Sequence, residues 1–330
     1  MADKGVDIAV IGAGSWGTAL GMVLARAGQR VWLVTHNEAH ATLINQERRN
    51  RAYLPDITLP DTLQATSNPR LALAHAAACV LALPCAAVPD ILPLLHGDYP
   101  VIAACKGLNP DTLERTDQML ARNIPRTRIA LLSGPSFALE VAHGQPTAIT
   151  MASEDITLAS RAAALFNDTN FRIYTSDDVI GVAMGGALKN VIAIAAGVAE
   201  GLGLGHNSMA AVVTRGLAEM ARLATAVGGR QETLMGLSGI GDLVLTCTGT
   251  LSRNRRLGIM LAEGCPREQA EQRIGQAVEG VRTAYAAEKL ARKLAIEIPL
   301  MQSVARVLRG EMDIAQAVRS LMQRPERTEF

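Results

Sequence analysis

Residues 7 to 17 read Asp-Ile-Ala-Val-Ile-Gly-Ala-Gly-Ser-Trp-Gly: an apolar strand-like run passes into G-x-G-x-x-G and then into an Ala/Leu-rich stretch of helical length. Few folds accept that order. Gly12 permits a tight turn, Gly14 lets the backbone approach a pyrophosphate, and Gly17 allows a helix to pack closely on the strand, while the free amides of the helix start face the anion. The expectation is a dinucleotide cradle; a glycine turn used only for packing is the plainer alternative.

The end of the next strand decides which dinucleotide. A carboxylate there holds the ribose 2′-hydroxyl and repels a 2′-phosphate, but this stretch is Val34-Thr35-His36-Asn37. With the penalty removed, His36, together with Arg48, Arg49 or Arg51, is placed to face the phosphate. NADPH is therefore the expected cofactor, with NADH tolerated.

Up to about residue 175 short β-rich runs (6–11, 30–34, 79–83, 101–104, 128–132, 147–151 and 171–175) alternate with stretches of helical length such as 18–27 and 112–122. That is the pattern of β-α units on a mostly parallel sheet. Beyond about residue 180 apolar residues recur at three- and four-residue spacing and no strand-like run remains. The expected architecture is an N-terminal, Rossmann-type doubly wound α/β domain (residues 1–180) followed by an all-α substrate and catalytic domain (residues 181–330). Residues 185–199 are apolar nearly all round, which marks a helix buried in this domain or in an interface and leaves a homodimer open. Residues 284–294 and 300–308 read as amphipathic surface helices.

Charge narrows the partners. With 32 basic and 31 acidic side chains and a net charge of +1, nothing attracts nucleic acid or an anionic membrane in general. A small phosphorylated ligand would need a local basic cluster. The five cysteines are widely spaced, form no metal pattern and read as reduced thiols, which suits a cytoplasmic protein. Asp3, Asp7 and the glycines spoil a secretory reading of the N-terminus, and prolines interrupt the apolar stretch 71–95, so no membrane span is expected.

Only five lysines stand against 27 arginines, so each position is informative. Lys4, Lys289 and Lys293 read as solvated surface charges. Lys106 follows the apolar run 101–105 and precedes Gly107, at the carboxyl end of a strand, where open parallel sheets bind ligands. Lys189 sits with Asn190 in Gly-Gly-Ala-Leu-Lys-Asn-Val-Ile-Ala-Ile-Ala, where a buried ammonium must be paired or lose its charge. Such a lysine suits proton exchange with an alcohol oxygen during hydride transfer.

Leu-Ser-Arg-Asn-Arg-Arg, residues 251–256, follows a loop rich in hydroxyls and glycine. Its arginines at a helix start suit a phosphate. Asp242, in Gly-Ile-Gly-Asp-Leu, is a lone carboxylate that orients Lys189, accepts from a substrate hydroxyl or, more simply, caps a helix. Ser-Gly-Pro-Ser-Phe-Ala, residues 133–138, brings Gly134 and Ser136 to the same sheet edge as Lys106.

In this order the motifs closely resemble those of the bacterial NAD(P)-dependent glycerol-3-phosphate dehydrogenases, over almost the whole chain. The resemblance implies reversible hydride transfer between sn-glycerol 3-phosphate and dihydroxyacetone phosphate, feeding phospholipid synthesis. It implies Lys189 as proton acceptor. Ser15, Trp16, His36, Lys106, Ala138, Arg253 and Glu279 match the family's cofactor contacts, and Lys106, Gly134, Ser136, Lys189, Asp242, Ser252, Arg253 and Asn254 its substrate contacts. Cys105 and Ala277 depart from its usual threonine and valine. The competing readings are another two-domain hydroxy-acid dehydrogenase, whose carboxylate substrate would also suit arginines, and a noncatalytic sensor of the nicotinamide pool.

Overall fold

The structure is a computed structural model that describes residues 5–167 and 170–323. Eight strands form one sheet: β1 (Asp7–Ile11), β2 (Arg30–Val34), β3 (Leu63–Thr66), β4 (Ala78–Leu81), β5 (Val101–Ala103), β6 (Ile129–Ser133), β7 (Thr147–Ala152) and β8 (Phe171–Ser176). Their spatial order is β3-β2-β1-β4-β5-β6-β7-β8. Pairing is parallel from β3 through β6, then antiparallel between β6 and β7 and parallel between β7 and β8. Strand order reverses between β1 and β4, so a crevice opens beyond the carboxyl end of β1. All four residues of β4 are buried, which is why the central strands read as continuous apolar runs.

All seven runs read from the sequence are strands. The eighth, β3, is an edge strand, Leu-Gln-Ala-Thr, with only one β-branched residue to announce it. The helix expected over 112–122 shrinks to Thr116–Leu120. Asn109 Oδ1 accepts from the backbone N–H of Asp111 and Thr112, and Leu113 takes a φ of +62°, which no right-handed helix continues. Helices α1 (Ser15–Arg26) and α2 (Glu38–Glu47) follow β1 and β2.

Beyond β8 the chain is helical among the described residues. Asp178 caps α3 (Val179–Gly201) through the Gly181 N–H at 2.8 Å, and its carboxylate also accepts from Arg230 N at 2.9 Å and Thr233 Oγ1 at 2.6 Å. Around α3 pack α4 (Gly205–Ala226), α5 (Asp242–Thr248), α6 (Arg253–Ala262), α7 (Glu279–Leu294) and α8 (Pro299–Leu308).

Two expectations change at α3. It is long and apolar enough to cross a bilayer, contrary to the reading that the chain holds no such segment, yet 89% of its most apolar window is buried inside the fold. Because its own chain covers it, its apolarity no longer argues for a dimer. Gly197 and Gly258 bring α3 and α6 into backbone contact: a Cβ on Gly197 would lie 2.0 Å from Arg255 O, and one on Gly258 2.1 Å from Ile194 O. That packing brings Asn254 onto Asn190, the residue after Lys189.

Candidate functional site

The glycine loop has the shape its sequence announces. Gly12 takes a φ of +114°, and a Cβ there would stand 2.5 Å from Ala82 O. A Cβ on Gly17 would meet Gly12 O at 1.8 Å, so the start of α1 can approach the strand only without a side chain. Gly14 differs: nothing lies within 4 Å of its would-be Cβ, leaving an open side over which a pyrophosphate can approach the backbone. Ser15 and Trp16 form the first turn of α1, and Ser15 Oγ donates to Tyr53 O at 3.2 Å.

At the end of β2, His36 is exposed and Thr35 is buried. The supporting arginines need correction. Arg48 turns inward, donating to Leu63 O at 2.9 Å, Leu59 O at 3.2 Å and Pro60 O, and Arg51 pairs with Glu47 at 2.6 Å. Arg49 stays exposed.

Lys106 follows β5 and Gly134 follows β6, so both stand at the carboxyl edge of the sheet. Lys106 Nζ donates to Gly134 O at 3.1 Å, and Ser136 Oγ donates to the same carbonyl at 2.9 Å. Gly134 has a φ of +143°, and Ala138 opens the short helix Ala138–Ala142.

From the helical side α5 brings Asp242, which is 1% exposed. Its Oδ2 accepts from Lys106 Nζ at 2.7 Å and its Oδ1 from Lys189 Nζ at 2.5 Å. Lys189 also donates to Thr246 Oγ1 at 2.8 Å, while that hydroxyl donates to Asp242 O at 2.6 Å. Asp242 therefore orients Lys189; its side chain does not serve as a helix cap. Burial opposes ionisation of the carboxyl, but the two ammonium groups outweigh it and hold its pKa below the usual value. For Lys189 burial is the larger effect, and with Lys106 nearby it pulls the ammonium pKa down against the opposing pull of Asp242.

At the start of α6 the cluster divides. Ser252 caps the helix by accepting from Arg255 N at 3.2 Å, and Arg253 is exposed with a 3.3 Å contact to Gln276 Oε1. Asn254 is buried, donating to Asn190 Oδ1 at 2.9 Å and accepting from Gly280 N at 3.0 Å. Arg255, expected in the phosphate cluster, instead pairs with Glu200. Glu279 opens α7 near Gly107, whose would-be Cβ lies 3.3 Å from Glu279 Oε2, and burial raises the pKa of its carboxyl.

Of the three lysines expected at the surface, Lys289 and Lys293 are exposed and Lys4 lies outside the described residues. All five cysteines are free. Sequence reasoning missed Thr246 and Asn190 as members of the site; Thr246 carried a signal, because it lies one helical turn from Asp242.

A loop that can take a pyrophosphate, two cations sharing one carboxylate, and a helix start that carries Ser252 and Arg253 and bonds Asn254 to the neighbour of Lys189 suit hydride chemistry on a phosphorylated alcohol. Comparisons with known proteins point the same way. The family model for the NAD-dependent glycerol-3-phosphate dehydrogenase N-terminus matches residues 7–159, and that for the C-terminus matches residues 178–319. The glycerol-3-phosphate dehydrogenase [NAD(P)+] of Halorhodospira halophila is 45% identical over 98% of each chain. That of Shouchella clausii is 45% identical over 98% of this chain and 97% of its own. The crystal structure of glycerol-3-phosphate dehydrogenase from Coxiella burnetii superposes with a TM-score of 0.93 at 41% identity, covering 98% of this chain and 100% of that one. By these matches, end to end, the chain belongs to the NAD-dependent glycerol-3-phosphate dehydrogenase family and is an NAD(P)-dependent oxidoreductase.

Proposed function

We propose that the protein reduces dihydroxyacetone phosphate to sn-glycerol 3-phosphate, and catalyses the reverse, with Lys189 moving the proton. The observation that carries this reading is the shared carboxylate: Asp242 takes Lys189 at 2.5 Å and Lys106 at 2.7 Å, at the same carboxyl edge of the sheet as the glycine loop.

Gly12, Gly14, Ser15, Trp16 and Gly17 would hold the pyrophosphate region of the cofactor, with His36 toward the adenosine end and Lys106, Ala138, Arg253 and Glu279 toward the reacting end. Bound there, the reduced nicotinamide supplies the hydride. In reduction, the Lys189 ammonium donates its proton to the ketone oxygen as negative charge develops, and Asp242 holds Nζ in place. In oxidation, burial makes the neutral amine accessible near neutral pH, so Lys189 takes the hydroxyl proton. Lys106, Gly134, Ser136, Ser252, Arg253 and Asn254 are assigned to the substrate; the arginine and the amides meet its phosphate.

NADPH is the preferred cofactor in this reading, because residues 34–37 at the end of β2 hold no carboxylate and His36 is exposed there. The test is loss of reduced-nicotinamide absorbance with dihydroxyacetone phosphate or unphosphorylated dihydroxyacetone, and NADPH or NADH. Fast oxidation of NADPH with the phosphorylated ketone alone supports both parts. Equal use of the two ketones removes the phosphate assignment, and faster use of NADH removes the preference.

A further inference from the structure

Asn50 lies in the loop after α2, in a single antiparallel bridge with Leu54, and has 0% of its surface exposed. Both hydrogens of its amide are committed to the nucleotide loop and its helix: Nδ2 donates to Ala13 O at 2.9 Å and to Thr18 Oγ1 at 2.8 Å. Because Ala13 O can only accept, Nδ2 must face it and Oδ1 must face the other way. There it meets His40 Nε2 at 3.0 Å, so that ring nitrogen carries the hydrogen. In the neutral ring His40 Nδ1 then accepts from Thr35 Oγ1 at 3.1 Å. The side-chain polar atoms of Thr35, His40 and Asn50 and the carbonyl of Ala13 are thereby all paired.

The consequence lies in the peptide between Ala13 and Gly14. A trans peptide points its C=O and N–H in opposite directions. With the Ala13 carbonyl drawn inward by Asn50, the N–H of Gly14 points the opposite way, away from Asn50. No atom lies within 4 Å of a would-be Gly14 Cβ either, so the loop is open at this residue, where the proposed pyrophosphate would approach the backbone. A second tie comes from the same loop: the rings of His40 and Tyr53 stand 5.9 Å apart, and Tyr53 O takes the hydroxyl of Ser15 at 3.2 Å.

We infer that Asn50 is a positioning residue for the cofactor, aiming the loop amides at the pyrophosphate, and that His40 supports it by fixing its amide orientation and linking it to Thr35 beside His36. The inference rests on the dinucleotide reading proposed above.

NADPH affinity, followed through tryptophan and nicotinamide fluorescence, tests it together with steady-state kinetics and melting temperature. Asn50→Ala leaves Ala13 O without its donor, and Asn50→Asp places a second acceptor against it. Each is expected to weaken NADPH binding at least about 10-fold and raise the KM for NADPH to match, with kcat kept within about 2-fold. His40→Ala should weaken binding about 5-fold, and His40→Gln, whose amide can still donate to Asn50 Oδ1, should recover most of that loss. Folded Asn50 variants that bind NADPH as tightly as wild type, or that lose kcat at unchanged KM, overturn the inference. If both Asn50 variants fail to fold, the His40 pair decides, and equal affinity of His40→Ala and wild type overturns it. Wild-type protein that binds neither NADPH nor NADH sinks the cofactor reading and this inference together; normal wild-type binding with unaltered variants sinks only the inference.

Discussion

Lys106 and Lys189 reach one carboxylate from opposite domains: Lys106, at the sheet edge, takes Asp242 Oδ2 at 2.7 Å, and Lys189, on the buried helix α3, takes Oδ1 at 2.5 Å. Two cations around one buried anion leave a net positive charge at the carboxyl edge of the sheet. That suits an anionic substrate and an alkoxide forming beside Lys189.

Asp242→Asn removes the main group that holds the Lys189 proton against burial. Lys189 is then left with two influences that lower its pKa, burial and Lys106. Ketone reduction needs the ammonium, so its rate falls as pH rises through that pKa, and in the variant the fall moves to lower pH. Turnover at neutral pH should drop about 100-fold or more. A pH–rate profile that keeps its wild-type position would remove the role given to Asp242.

Arg253→Ala should separate the two ketones. The KM for dihydroxyacetone phosphate is expected to rise about 10-fold or more, the scale of a lost charge-assisted hydrogen bond, with little change for unphosphorylated dihydroxyacetone. Equal losses for both would place Arg253 away from the phosphate.

Gly258→Ala tests how the helical domain is assembled. Its Cβ would stand 2.1 Å from Ile194 O, so α6 must move off α3 and carry residues 252–254 with it. A loss of about 1–3 kcal/mol in stability is expected, together with weaker binding of the phosphorylated substrate. Calorimetry alongside the KM measures both; unchanged values would show that the backbone contact tolerates a methyl group.

Glu219, 2% exposed on α4, accepts from the N–H groups of Leu300 at 2.7 Å and Met301 at 3.0 Å at the start of α8. Burial pushes its carboxyl up to about 7, against those two donors and Arg222 and Arg215. The folded protein thus keeps this proton to higher pH than the unfolded chain. Its stabilising contribution is complete below pH ~4.5 and is lost as pH rises through about 7. Relative to Glu219→Gln, the wild type should lose about 3 kcal/mol between pH 4.5 and 7.5 in denaturant titrations. A difference that stays flat across that range would show the group ionised throughout.

Much of the fold is legible in local sequence because its physics is local. Buried central strands such as β4 must be apolar on both faces, and the three loop glycines each answer a steric demand visible in a short motif. Strand β3 escapes because one edge strand of four residues needs little apolar surface. In the site, Lys189 stands out as a charge in an apolar helix, but its link to Asp242 exists only after α3 and α5 pack. Arg255 misleads for a helical reason: successive residues point about 100° apart, so residues 253–256 cannot all face one ligand, and Arg255 turns to Glu200. Asn50 and His40 form no periodic pattern, and their roles arise from contacts across the fold.

The most direct test of the account is turnover of Lys189→Ala, measured as NADPH oxidation with dihydroxyacetone phosphate alongside NADPH affinity. The account predicts a loss of about 100-fold to 10,000-fold in kcat with NADPH binding within about 2-fold of wild type. A variant that turns over at the wild-type rate would contradict it, because the proton would then have another source.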